Sequence, residues 1–167
     1  VGLIDTPVDV LTCNTQELQK ALEEPNSFTS QIVKEGELFM LDSIDAVKWK
    51  QRAMQDLCTI ENNLKDDPEF LASLNCYLAQ QAVEKLLKAY LLTKQQTLPK
   101  THDLLFLLKK CSELNGDFLK LQSSVEILNI YAIEARYSGD FFDDIKVVQA
   151  KEAYEAALMV KEFVNQS

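Results

Sequence analysis

Glycine and proline are scarce in this chain, four of each in 167 residues. Few turns are encoded, which excludes a many-turned β fold and favours long helices. Histidine occurs once, at His102, tryptophan once, at Trp49, and arginine twice, at Arg52 and Arg136. Cys13, Cys58, Cys76 and Cys111 are widely spaced, with no Cys-x-x-Cys pair. Zinc would need ligands from distant helices with one imidazole to help, so buried free thiols in a reducing cytoplasm are expected instead. No secretion leader is visible, and no apolar run is long enough to span a bilayer. No membrane partner is expected. Positive charge is also short: the formal net charge is −9. Residues 1–43 carry two lysines against eight acids, so most of the imbalance lies there. That balance argues against non-specific nucleic-acid binding but leaves room for a local basic groove.

What the chain does have is 47% apolar residues, enough for a core, and one strong helical stretch at Asn75–Leu92. This stretch has no glycine, no proline and few β-branched residues. Leu71, Leu74, Leu78, Ala82, Leu86 and Ala89 recur every three or four residues and predict one apolar stripe. Leu87, Tyr90 and Leu91 widen it, so burial on more than one side is expected. Gln81, Lys85 and Lys88 are expected along a second face, with Glu84 four residues ahead of Lys88 in the favourable order for an ion pair.

The remaining elements are read around that helix. Val8–Thr12 alternates as a short strand, residues near 15–21 and 28–33 suit short helices, and Glu37–Leu41 reads as a returning strand. Asp42-Ser43 is expected to cap a helix carrying Ala46, Trp49, Ala53, Leu57, Ile60 and Leu64, ended by Asp66-Asp67-Pro68. The central helix runs to about Lys94, and Gln95–Lys100 is a loop. Thr101 is expected to cap a third helix, with Asp103 in its first turn and Leu104, Leu105, Leu108 and Cys111 inward. Phe118, Leu121, Val125, Leu128, Ala132 and Ala135 mark a fourth stripe, broken by Ser138-Gly139-Asp140. A last helix from near Asp144 turns Ala153, Ala157, Val160 and Val164 inward. The expected fold is mostly α: an antiparallel up-and-down bundle of about five helices over residues 44–167. Residues 1–43 are expected as a small α/β remnant of another domain, because two short strands leave sheet edges unpaired.

Several segments resemble known families. Trp49 with Asp56-Leu57, AQQAVEKLLKAYLL (Ala79–Leu92), PKTHDL (Pro99–Leu104) and EARY (Glu134–Tyr137) resemble the HEPN domain in order and in spacing. PVDVLT and SFTSQIVKEGELFM, within residues 7–41, resemble the closing part of a minimal nucleotidyltransferase. That second resemblance puts Asp9 at the family's third metal-binding acid and implies a nucleotidyltransferase domain in cis. The Gly-Ser loop and paired Asp-x-Asp of that family are absent, so nucleotidyl transfer is not expected from this chain alone, and magnesium only where the rest of that domain is present. As an isolated feature, Asp9 also reads as an exposed acid on an edge strand.

The HEPN resemblance implies a homodimer that binds a nucleotide, such as ATP, or RNA, and leaves a toxin–antitoxin setting open. The candidate binding residues are Lys85, His102, Arg136 and Tyr137. His102, at a helix start, is an acid–base group or a phosphate holder, or simply packs between helices. Arg136 offers a phosphate fork with Tyr137 beside it for base stacking, or pairs with Asp140, Asp143 or Asp144 to fix a turn. Lys85 and Lys88 share that cleft or form a solvated face. The family's metal-independent RNase pattern, Arg-x(4–6)-His, is missing, since no histidine follows Arg136 and Phe142 stands six residues on. An RNase in which His102 and Arg136 act, and a purely structural dimerisation module, are the two alternatives.

Overall fold

The computed structural model describes residues 38–134 and 145–167, and among them there are five α-helices, one 3₁₀ helix and no strand. Helix α1 is Leu38–Asp66, α2 is Ala72–Thr93 and α3 is Leu104–Leu114. The 3₁₀ helix Gly116–Leu121 leads into α4, Gln122–Glu134, and α5 is Val147–Gln166. The bundle belongs to the second of two compact units, Leu41–Ser167. The expected strand at Val8–Thr12, the two short helices after it, Asp9 and Cys13 lie outside the described residues. So do Arg136, Tyr137 and the break at Ser138-Gly139-Asp140.

Helix α2 is the centre. It contributes Ala79, Ala82, Val83, Leu86, Leu87 and Leu91 to the core, each nearly or fully inaccessible. Its broadest contact is with α5, and it also packs on α3 and α4. Alanines make the α2–α5 contact close: Ala150, Ala153 and Ala157 of α5 are fully buried in the same core cluster. Small side chains on facing helices let backbones approach and gain dispersion contacts over a long seam. The large residues fill the far end, where Tyr90 meets Phe118 at 4.4 Å between ring centroids and Phe118 meets Phe163 edge-on at 4.9 Å. Helix α1 adds Ala46, Ala53, Leu57 and Ile60, while Leu64 is half-buried.

Several boundaries and faces differ from the sequence reading. Leu38–Leu41 are helical where a returning strand was expected, and Asp42-Ser43 lie inside α1 rather than capping it. Leu, Phe, Met and Leu are adequate helix formers without β-branching, and no glycine or proline separates them from Ala46. The cap of α3 is Asp103, whose Oδ1 accepts from the N–H groups of Leu105 and Phe106 at 2.9 and 3.3 Å. Thr101 instead accepts from the Asp103 N–H at 3.1 Å. A carboxylate at the positive helix end outcompetes a hydroxyl there, and the helix begins two residues later than expected. The inward face also differs: Leu107 is buried and Leu105 is exposed, so the buried set is Leu104, Leu107, Leu108 and Cys111, spaced i, i+3, i+4 and i+7. Phe118 and Leu121 are buried as expected but sit on the 3₁₀ helix. Leu74 is 42% exposed, which interrupts the predicted apolar stripe of α2. Cys76 and Cys111 are buried free thiols, and burial pushes them up to about 11 and about 12; Cys58 is free but exposed, contrary to expectation.

The α2–α3 connection positions the site. Helix α2 ends with Gln95 in the left-handed region, at φ 57°. The Gln95 N–H donates to the Leu92 carbonyl at 2.9 Å and the Gln96 N–H to the Leu91 carbonyl at 3.0 Å. This pair of bonds closes the helix end and turns the chain back along α2. The Leu104 N–H then donates to Asn129 Oδ1 of α4 at 2.8 Å, which fixes where α3 starts. His102 is therefore held between two anchored helix ends, one residue ahead of the α3 cap and not in its first turn.

Candidate functional site

Helix α2 carries Gln80, Glu84 and Lys88 at successive turns of one face, and all three are buried. A buried carboxylate surrounded by apolar groups would be strongly disfavoured, so its partners decide what it is. Lys88 Nζ donates to Glu84 Oε1 at 2.8 Å, the ion pair expected from the four-residue spacing. His102 Nδ1 lies 3.0 Å from each carboxylate oxygen. Gln80 Nε2 donates to Glu84 Oε2 at 3.4 Å and to the main-chain oxygen of His102 at 3.3 Å. Gln81 completes the ring, donating to Gln80 Oε1 at 2.7 Å and reaching Glu84 Oε2 at 3.5 Å.

Burial alone would raise the Glu84 carboxyl pKa. The bonds from Lys88 and His102, with their charges, outweigh it and hold the group below the usual carboxylate range. Glu84 is therefore ionised at neutral pH. An ionised carboxylate only accepts hydrogen bonds, so Nδ1 of His102 carries the proton and donates it. In the neutral ring Nε2 is then a bare acceptor. The side chain of His102 is 53% exposed, against 5% for Glu84. One edge of the imidazole is anchored in the protein and the other is open to water.

The neighbouring cations are already engaged. Lys88 is buried, paired with Glu84, and its Nζ stands 5.6 Å from the centroid of the half-buried Trp49 ring. Lys85 is half-buried and pairs with Asp56 of α1, the two side chains being 19% and 17% exposed. Neither lysine belongs to a solvated charged face. Of the sequence-predicted site residues, Lys85 and His102 lie among the described residues: Lys85, on α2, pairs with Asp56 of α1, while His102 bonds Glu84 of α2. Arg136 and Tyr137 are not among them. Glu84 as the anchor of His102, and Gln80 as the strut under both, were not identified from the sequence. The signal was available: three polar residues at i, i+4 and i+8, which share one face of the helix.

Chemically the arrangement offers one oriented imidazole. Neutral, its Nε2 accepts a proton or a hydroxyl hydrogen bond; protonated, it donates to a phosphate oxygen. No group of three or more His, Cys, Asp or Glu side chains among the described residues is placed to hold a metal ion. A cavity of about 250 Å³ on the same loop is lined by Leu91, Thr97, Pro99 and Phe106, with Lys110 and Glu113, which pair at 2.8 Å. It presents no buried charge, unlike the His102 site. No helix among the described residues is long and apolar enough to cross a membrane.

The HEPN domain family matches residues 46–167. Among solved structures, a crystal structure of TT1696 from Thermus thermophilus is similar: 25% identity, covering 72% of this chain and 96% of that one, with a TM-score of 0.59. No curated protein matches the chain.

Proposed function

This chain belongs to the HEPN domain family, and from that premise we propose that its bundle binds a ribonucleotide or an RNA segment at the open edge of His102, acting as a homodimer. One observation carries the proposal: a buried, ionised carboxylate fixes Nδ1 of a half-exposed imidazole and leaves Nε2 free. A ribonucleotide carries the two groups such a ring can bind, a hydroxyl for the neutral form and phosphate oxygens for the protonated form. Arg136 and Tyr137 would add a phosphate fork and a stacking surface. The resemblance of residues 7–41, with Asp9, to the end of a minimal nucleotidyltransferase supports service to such a domain in cis. An upstream Gly-Ser loop with Asp-x-Asp in the intact protein would support it further.

The test is direct. ATP and a short single-stranded RNA are titrated into the protein while the His102 ring signals and the melting temperature are followed. Binding moves the ring signals and raises the midpoint. His102→Ala abolishes the response and Arg136→Ala weakens it. Silence of the ring with both ligands would refute the site.

The same geometry favours a second reading over a purely structural module. An oriented imidazole is also what metal-independent RNA cleavage requires of an acid–base group. That reading expects RNA cleavage in EDTA, lost in His102→Ala and reduced in Glu84→Gln. Intact RNA after long incubation at micromolar protein contradicts it.

A further inference from the structure

Three contacts set the register of α1 against α2. Trp49 meets Lys88, Asp56 meets Lys85, and Asn63 Nδ2 donates to Asn75 Oδ1 at 2.8 Å, so the two helices run antiparallel. Trp49, Asp56 and Asn63 form one stripe along α1, each two turns from the next at about 3.6 residues per turn. The core residues Ala46, Ala53, Leu57 and Ile60 lie to one side of that stripe. Arg52 falls on the other side and is exposed. Its level, between Trp49 and Asp56, is that of the Lys85–Lys88 turn of α2. On α2, Lys85 holds α1, and Gln80 and Glu84 hold His102. Between these two attachments Tyr77 and Gln81 are open to solvent in part. Helix α2 is thus the floor of a trough, with α1 as one wall and the His102 loop as the other, roughly 10 Å apart as packed elements are.

Most charges around this trough are already neutralised. Lys85 is paired with Asp56 and Lys88 with Glu84, and Lys48, one turn before Arg52, is paired with Asp45 at 3.2 Å. Asp103, beside His102, turns its carboxylate to the N–H groups that it caps on α3. Arg52 has no ion pair among the described residues, and the acid one turn along its own helix, Asp56, is held by Lys85. A guanidinium stays charged at every physiological pH and presents a planar fork that matches phosphate oxygens. Unpaired on the wall opposite an oriented imidazole, it lacks only an anion.

We propose that Arg52 is a phosphate-binding residue of the His102 site. The ligand lies across Gln81, with a sugar hydroxyl toward Nε2 of His102 and a phosphate in the fork of Arg52. This inference rests on the ribonucleotide reading above and adds to it a residue from the opposite wall. It needs no second copy of the chain.

Adenosine, ATP and a short single-stranded RNA, titrated into the full chain, test it. The readouts are the His102 ring signals and the fluorescence of Trp49, which is the sole tryptophan and stands one turn from Arg52. Arg52→Gln raises the Kd of a phosphate-bearing ligand roughly 10-fold or more and leaves that of adenosine unchanged, and Arg52→Lys falls between. A loss confined to ATP assigns the fork to a free nucleotide. A loss for RNA, with a salt dependence shallower by about one phosphate contact, assigns it to a strand. Lys48→Gln removes the same charge one turn away and leaves binding within about threefold of the wild type, because an exposed charge off the contact is screened. Without ligand, both Arg52 variants melt with the wild type, since the residue is exposed and unpaired. A wild-type ring silent to all three ligands overturns the His102 site and this inference together. A ring that responds in the wild type, with Arg52→Gln binding ATP and RNA as tightly, overturns the assignment of Arg52 alone. An equal loss in Lys48→Gln overturns it too.

Discussion

Two sides of α2 are buried by opposite means. One side enters the core with α5 through Ala79, Ala82, Val83 and Leu86, and needs no directional bond. The other buries Gln80, Glu84 and Lys88, and is stable only because every charge on it has a partner. Packing tolerates substitution in proportion to volume lost. A polar cluster tolerates removal of a whole pair better than removal of half of one. The first side makes the bundle; the second side fixes one imidazole at the surface.

The largest effect belongs to the apolar side. Phe118→Ala removes a ring packed between Tyr90 and Phe163 and is expected to cost about 3–5 kcal/mol in denaturant unfolding. On the polar side, Glu84→Ala leaves Lys88 buried without its partner and should cost about 3 kcal/mol. The double change Glu84→Leu with Lys88→Met should recover most of that loss, which no double truncation in the core would do. If the double variant is as unstable as Glu84→Ala, the contrast between the two sides fails.

Acid should act on the polar side alone. Glu84 has its folded pKa below the ordinary 4.5. Its contribution is fully present above that value and is lost as pH falls through the lower folded value. Stability measured downward from pH 6 should therefore hold until about 4.5 and then decline more steeply in the wild type than in Glu84→Gln. The smallest effect concerns delivery of the ring. Asp103→Ala removes the α3 cap and should cost about 1 kcal/mol, while shifting the His102 signals because the residue next to it loses its anchor.

Among the described residues, the five α-helices of the bundle and most of its core could be read from the sequence, because α-helical spacing is a local property. Ala46, Ala53, Leu57 and Ile60 announce one face of α1, and Ala153, Ala157, Val160 and Val164 one face of α5. Ends were less legible. Thr101 was expected as the cap of α3, but Asp103 takes that place, and the Leu104 N–H bonds Asn129 of α4, a contact no local pattern announces. Half of the site could be read as well. The Glu84–Lys88 pair follows from its spacing within one helix, whereas the Glu84–His102 contact spans 18 residues across a loop whose path depends on Gln95 taking a left-handed turn. Leu74 matched the apolar period and yet faces outward, because periodicity shows which residues share a face but not what covers it.

The state of the lone imidazole tests the account most directly. Long-range ¹H–¹⁵N correlation of His102 near pH 8 should show Nδ1 protonated and Nε2 bare. In Glu84→Gln the ring should lose that preference, because the amide can offer a donor to Nδ1. A ring protonated at Nε2 in the wild type, unchanged by Glu84→Gln, would contradict the claim that the buried carboxylate sets the site.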